Sequence, residues 1–268
     1  MELETLFREI ELQERMAERV MAVLPRLLGE EIETQLKCLM DMKTAPDALA
    51  HLTALFPDED GVGILACSLL CACRAYEEYQ KKGISDTVYF ETMKCFTRFI
   101  DETQKRTGRL AFDRGWWTYR QISMQLFRIG ELEYEFVEYE GRPALSIHIP
   151  SDAHFSKELV GESLFEARAF FGRHYPEYED CQYICDSWLL SPELPKLLNA
   201  QSNILAFQDR FDIVRFEPDA NDYLVWVFGV SSDTTDLAAL KEETSMQKRI
   251  KQHVLNGGKI GIGFGVLK

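Results

Sequence analysis

The chain of 268 residues lacks an apolar run of about 18 residues; the longest candidate, Val62 to Cys73, is interrupted by Gly63 and Ser68. A membrane-spanning helix is therefore excluded from the sequence pattern. Positive charge is also scarce, with 30 Lys and Arg against 44 Asp and Glu. The resulting net charge of −14 is shared evenly, −7 in residues 1–108 and −7 in residues 109–268. No segment gathers the cations that counterion release from a nucleic acid requires, and the acidic helical half offers no basic recognition helix. The first residues, with Glu2, Glu4, Arg8 and Glu9 at amphipathic spacing, lack the basic start and apolar centre of a secretory signal. A cytoplasmic location, without nucleic acid or membrane partners, is expected. Seven cysteines are an odd count in so long a chain and form no disulfide framework. Cys67 and Cys71 share a helical face, Cys73 points elsewhere, and no His lies within two turns, so these thiols read as buried small side chains and no metal is expected.

What is present begins with helices. From Leu3 to Gln104 apolar residues recur every three or four positions, as in Leu3, Phe7, Ile10, Met16, Val20, Val23 and Leu27. Glu30 to Met42, Ala45 to Phe56, Val62 to Lys82 and a segment running to Lys105 continue the pattern, with Gly29 and Gly83 as stops and Pro46 early in its helix. Residues 1–108 read as an all-helical domain. After Thr107-Gly108 the texture changes, so residues 109–268 read as a second domain. One more helix is expected over Trp117 to Phe127, followed by a hairpin in which Leu132, Tyr134 and Phe136 alternate with glutamates before Ala144 to Ile149 returns. Ser156 to Tyr175 is helical and Cys181 to Leu190 is apolar enough for a central strand. FDIVRFEPD and YLVWVFGV read as a further hairpin, Thr235 to Asn256 as a polar helix and KIGIGFGVL as a last strand. The fold class is α+β, with about six strands and three or four helices in the second half.

The words WWTYRQISMQLFRIGELEYEF, HIPSDAHFSKELVGESLFEARAFF and CDSWLLSPELPKLL, followed by SNILAFQDRF, resemble a bacterial acyltransferase-like family. Its members pair an N-terminal helical domain with a C-terminal domain resembling the GCN5-related N-acetyltransferase (GNAT) fold. The resemblance spans nearly the whole chain and is densest from Trp116 to Phe211. It implies a mixed, mostly antiparallel GNAT-like sheet flanked by helices. In that fold the fourth strand feeds a helix whose N-terminal amides hold a cofactor pyrophosphate, and the fifth strand splays away to admit pantetheine. Ala144 to Ile149 would be the fourth strand and Cys181 to Ser187 the fifth. The implied function is acyl transfer from acyl-coenzyme A, as co-substrate, to an amine or other small-molecule acceptor. The loop of Gln or Arg, two residues, Gly, any residue, and Gly or Ala that usually marks the fold is missing between Pro150 and Ser163. That absence supports the alternative of a non-catalytic ligand- or partner-binding protein on the same fold.

Several residues carry the implied chemistry. Ser151, Ser156, Lys157, Glu158 and Leu159 lie where strand passes into helix, and there a phosphate would meet the Ser156 hydroxyl, the next three amides and the Lys157 charge. Ordinary capping by Ser156 is the competing reading, and Asp152 and Glu158 would oppose a phosphate. His148, on one face of its strand with Ser146, is a candidate base for an attacking amine. Glu133, on the partner strand with Glu135, is a candidate base or orienter, against which stands a solvent-facing acidic strand. Ser187 ends the fifth strand and is a candidate proton donor to the leaving thiolate. Cys185 and Trp188 are expected in the core, and Trp116, Trp117, Tyr119 and Arg120 in packing against the sheet.

Overall fold

The computed structural model describes all residues from Met1 to Lys268. The chain divides into two compact units, Met1–Ile129 with Glu133–Glu135 and Pro150–Asp152, and the remainder. No helix is long and apolar enough to cross a membrane.

The first unit is built of α1 (Leu3–Glu9), α2 (Glu14–Val23), α3 (Glu30–Leu39), α4 (Ala45–Leu55), α5 (Val62–Lys81), α6 (Asp86–Met93), α7 (Cys95–Thr107) and α8 (Gly115–Ile122), and closes on the strand β1 (Leu126–Ile129). Its centre is α5, which is apolar nearly all round because α1 to α4 and α8 pack about it. Leu65, Ala66, Cys67, Leu69, Cys71 and Ala72 are inaccessible to solvent. Each fully buried Leu contributes about 2 kcal/mol here. Burial pushes the Cys67 thiol up to about 12 and the Cys73 thiol up to about 11, so both behave as small apolar groups. The helix expected through Phe127 ends instead at Ile122. Met124 takes a left-handed φ of 57°, which a continuing helix does not tolerate, and Leu126–Ile129 leaves as a fully buried strand.

The remaining elements are β2 (Leu132–Tyr139), β3 (Arg142–His148), α9 (Lys157–His174), β4 (Gln182–Ser187), α10 (Leu194–Leu197), α11 (Asn203–Gln208), β5 (Phe211–Glu217), α12 (Asp222–Phe228), α13 (Ser245–Leu255) and β6 (Ile262–Leu267). The strands form one sheet in the order β1-β2-β3-β4-β6-β5. Glu140 and Gly141, both at positive φ, make the two-residue turn that joins β2 to β3. α9 is the crossover between β3 and β4, which pair in parallel, whereas β6 runs antiparallel to both β4 and β5. Val160, Leu164, Ala167 and Phe171 form the buried stripe of α9, and Phe171 meets Phe136 edge-on at 5.5 Å.

Two more expected elements are corrected. YLVWVFGV does not return as a strand; Tyr223, Leu224, Val227 and Phe228 turn one helical face into a core with Leu240, Ile250, Val254 and Ile260. Burial of that face overrides the β-propensity of Val, Trp and Phe, and β5 takes β6 as its partner instead. The polar helix is shorter than Thr235 to Asn256, because Thr244 and Gln247 form a capping box that starts it at Ser245. The glycines of β6 have a packing reason. A Cβ at Gly263 would overlap the Leu190 carbonyl, and one at Gly265 would press on Leu190 and Phe211, so the strand lies directly beneath the turn after β4.

Candidate functional site between β3 and β4

In the second unit, pairing between β3 and β4 covers Ala144 with Gln182, Leu145 with Tyr183 and Ser146 with Ile184. Both strands continue past the last pair, β3 to His148 and β4 to Ser187. β4 stays bonded on its other side, with Asp186 opposite Phe264 and Ser187 opposite Gly263. The gap therefore opens at one edge only, at the carboxyl ends of two parallel strands, where open sheets containing such strands leave a crevice.

The register also assigns faces. Paired residues point to the same side and alternate along each strand, so Ser146, His148, Ile184 and Asp186 share a face, while Leu145, Ile147, Tyr183, Cys185 and Ser187 share the other. The second group is the more buried, with Leu145 and Cys185 inaccessible. Burial first, and the Asp186 charge second, push the Cys185 thiol up, which leaves it protonated and excludes it as a nucleophile. Asp186 is exposed, and its carboxyl is raised above the ordinary range by desolvation, with Glu217 and Asp222 adding and Arg215 opposing. Arg215 reaches within 3.6 Å of Asp186 and lies over the Phe264 ring. Ser187 Oγ accepts the Leu189 N–H at 3.2 Å and so starts the following turn; its own proton remains to be donated.

The connection from β3 to α9 is held residue by residue. His154 N–H donates to Glu131 Oε2 at 2.6 Å, and the Phe155 ring lies 4.9 Å from that of Phe207. Ser156 Oγ accepts the Leu159 N–H at 3.2 Å, the capping bond that its position predicts. This leaves the Lys157 and Glu158 amides as outward donors of the first turn. Arg210 Nη2 donates to the Lys157 carbonyl at 2.8 Å, and its guanidinium lies over Gly161, where a Cβ would stand 3.3 Å from Nη2. A glycine inside a helix costs stability, and here its bare backbone admits a cation along the helix start. Arg210 is a residue that sequence reasoning missed, since no spacing relates it to α9. Asp186 was missed for the same reason; only the β4 register gives it a face.

The remaining candidates lie in the first unit. Glu133 is 2% exposed, and its Oε1 accepts from Arg98 Nη2 at 2.6 Å. Glu135 accepts from Arg120 Nε at 2.9 Å. The solvent-facing acidic strand is thus corrected, because each carboxylate has an arginine from a neighbouring helix. Ser151 Oγ donates to Glu102 Oε1 and is tied down by it. Arg120 lies 4.4 Å from the Trp117 ring and 5.1 Å from that of Tyr119, a stacked arrangement with its charge met by Glu135. Trp116, 53% exposed, departs from the packing expected for it.

With this geometry in hand, residues 126–267 match the family model of a GNAT-like C-terminal domain, and residues 1–124 that of an N-acyltransferase N-terminal domain. No curated protein sequence matches the chain. Among solved structures, a variant acyltransferase in complex with octanoyl-CoA is similar with a TM-score of 0.78 at 20% identity, over 99% of this chain and 87% of that one. An acyltransferase in complex with decanoyl-CoA and teicoplanin has a TM-score of 0.71 at 22% identity, over 100% and 99%. An acyltransferase with CoA and 10C-teicoplanin has a TM-score of 0.72 at 23% identity, over the same shares. At these identities the likeness is one of fold.

Proposed function

This chain belongs to the family defined by a GNAT-like C-terminal domain, here behind an N-acyltransferase N-terminal domain, and from that premise we propose that it moves an acyl group from acyl-coenzyme A to the nucleophile of a small molecule. The observation that carries the reading is the end of β3–β4 pairing at Ser146 and Ile184, beside a helix start flanked by Arg210. The opening gives a thioester arm a place to lie between two strand ends. The Lys157 and Glu158 amides, with the Arg210 charge, give its pyrophosphate a seat. Similar folds holding octanoyl-CoA and decanoyl-CoA support the same co-substrate.

In the proposed mechanism the acceptor attacks the thioester carbonyl directly, the C–S bond breaks, and coenzyme A leaves as thiolate. His148, at the end of β3 and half-buried, takes the proton from the attacking amine. Ser187, whose oxygen is already fixed by the Leu189 amide, donates its proton to the thiolate, and the proton held by His148 passes through solvent to the Ser187 oxygen, so that both side chains end as they began. Asp186 shares the His148 face, and its raised carboxyl suits an orienting or proton-relaying role there. Glu133 is assigned to holding Arg98, since that ion pair occupies it. No residue group suited to a metal is present, and none has a part in this scheme.

Ligand-dependent melting tests the reading. At a concentration of 100 times its dissociation constant, a binding acyl-coenzyme A raises stability by about 2.7 kcal/mol. For a chain of this size that is a rise of roughly 5–10 °C. Absence of a shift with acetyl-, octanoyl-, decanoyl- and free coenzyme A would sink the proposal in favour of a binding protein for another ligand. With binding established, His148→Ala is expected to lower kcat by about 10²-fold at unchanged coenzyme A affinity, measured as thiol release with an amine acceptor. Unchanged turnover removes His148 from the mechanism.

A further inference from the structure

In the second unit the sheet ends on β5, whose outer side has no neighbour in the strand order. Four successive residues of that strand, Asp212 to Arg215, are exposed, with Ile213 at 37% and Val214 at 57%. An edge strand offers open N–H and C=O groups to another strand, and bare apolar side chains strengthen the offer. The β5 edge carries one feature that limits such pairing, a bulge: Ile213 lies opposite Gly265 and Arg215 opposite Phe264, so Val214 is the extra residue. Its charged side chains have only loose partners. Asp212 stands 3.8 Å from Lys268, and Arg215 stands 3.6 Å from Asp186 and 3.2 Å from Glu217, all of them exposed. Exposed pairs of this kind hold a side chain weakly.

The bulge decides which residues a second strand can meet. With Val214 set aside, the strand reads Phe211, Asp212, Ile213, Arg215 and Phe216, and reversing it places acid against base and aromatic against aromatic. The faces agree with that reversal. Asp212 and Arg215, opposite Val266 and Phe264, lie on the Asp186 face; Phe211, Ile213 and Phe216, opposite Leu267, Gly265 and Gly263, lie on the other. We propose that β5 is a dimer edge, on which a second copy of this chain pairs antiparallel with Ile213 at the two-fold axis. Asp212 then faces Arg215 of the second copy twice on one side of the joined sheet, and Phe211 faces Phe216 twice on the other. Opposite charges and aromatic pairs are the favourable cross-strand combinations, and a two-fold interface requires a surface complementary to itself. The register is specific. Sliding the copy by two residues sets Asp212 against Asp212 in one direction and Arg215 against Arg215 in the other, and like charges directly opposite are unfavourable.

The pairing is independent of what the crevice between β3 and β4 binds, and sedimentation equilibrium of the full chain tests it. At about 0.15 M salt, repulsion between two chains of net charge −14 is screened beyond about 8 Å. Native protein is then expected to pass from 31.0 kDa to twice that mass with a dissociation constant on the order of 10 µM, in keeping with a small interface. Asp212→Arg and Arg215→Asp each set like charges opposite and should raise that constant about tenfold or more. The double exchange, carrying both substitutions, restores the pairs in reverse and should return it to within about threefold of native. Both positions are exposed, so the variants are expected to fold, which their melting temperatures check. Native protein gives a second readout that needs no variant: amide exchange over residues 211–216 should slow as concentration rises from about 1 to about 100 µM. Native protein that stays monomeric at about 100 µM, with exchange independent of concentration, overturns the dimer. A dimer that survives both single reversals, or a folded double exchange that stays monomeric, overturns the β5 register.

Discussion

The starts of α5 and α9 present the same physical device in opposite states. Both helices are long, 20 and 18 residues, and each begins with amides that have no partner within the helix. At α5 the chain supplies its own anion: Asp58 Oδ1 accepts the Val62 N–H and Oδ2 the Gly63 N–H, both at 2.9 Å. At α9 the cap is the neutral Ser156, which takes the Leu159 amide, and the cation Arg210 is bonded beside it at the Lys157 carbonyl, with Lys157 and Glu158 in the first turn itself. A cleft of about 270 Å³ lies at the α5 start, lined by Arg19, Val23, Arg26, Phe56, Asp58 and Gly63, yet its anion seat is already filled. A cavity and a favourable helix end do not make an anion site where a carboxylate of the chain sits in it. At the α9 start no carboxylate of the chain is hydrogen-bonded to the cap amide, which Ser156 takes, and Arg210 donates to the Lys157 carbonyl alongside.

Converting the open start into the closed kind gives the largest expected effect. Ser156→Asp keeps a good cap, so stability should stay within about 1 kcal/mol of native. Its carboxylate would occupy the phosphate seat and raise the dissociation constant for coenzyme A about 100-fold, close to 2.7 kcal/mol, read by calorimetry. Native-like affinity in Ser156→Asp would place the phosphates elsewhere. The reverse change, Asp58→Ala, opens α5. It should cost about 2 kcal/mol in urea unfolding while leaving coenzyme A affinity untouched, because that carboxylate serves the fold and not a ligand.

The same contrast explains what was legible in the sequence. The Ser156 cap, the α9 stripe and the strand-loop-helix-strand order follow from local spacing, and they stand in the structure as expected. So does the length of α5, since Gly83 and the apolar run bound it from both sides. Arg210 on α9, Arg128 on Asp152 and Arg98 on Glu133 are pairings across 53, 24 and 35 residues, and no local period encodes them. Glu133 shows the cost: alternation gives its face, but only the approach of α7 decides whether that face is wet. YLVWVFGV failed for a related reason, as its β-forming residues become helical once Ile250 and Val254 supply a core for them.

The smallest expected effect concerns Asp60, two residues from the α5 cap. Arg19 and Arg109 each donate to it at 2.6 Å, and these bonds hold its carboxyl below the ordinary carboxylate range, with burial opposing. A depressed folded-state value means that, as pH falls below about 3.9, the unfolded chain binds a proton before the folded one does. The stabilisation is therefore complete above that range and is lost as pH drops through the lower folded value. Asp60→Asn, which cannot ionise, should cost about 1 kcal/mol at pH 7, a modest figure because Arg109 is exposed. The gap to native should narrow as pH falls below about 3.9 and close once pH has passed the lower folded value, as followed by urea midpoints. Glu33, held down in the same way by Arg74, keeps part of the acid sensitivity in both proteins, so the difference between the two curves carries the test. A gap that stays constant with pH would mean that the Asp60 carboxylate contributes through packing or hydrogen-bond geometry and not through its charge.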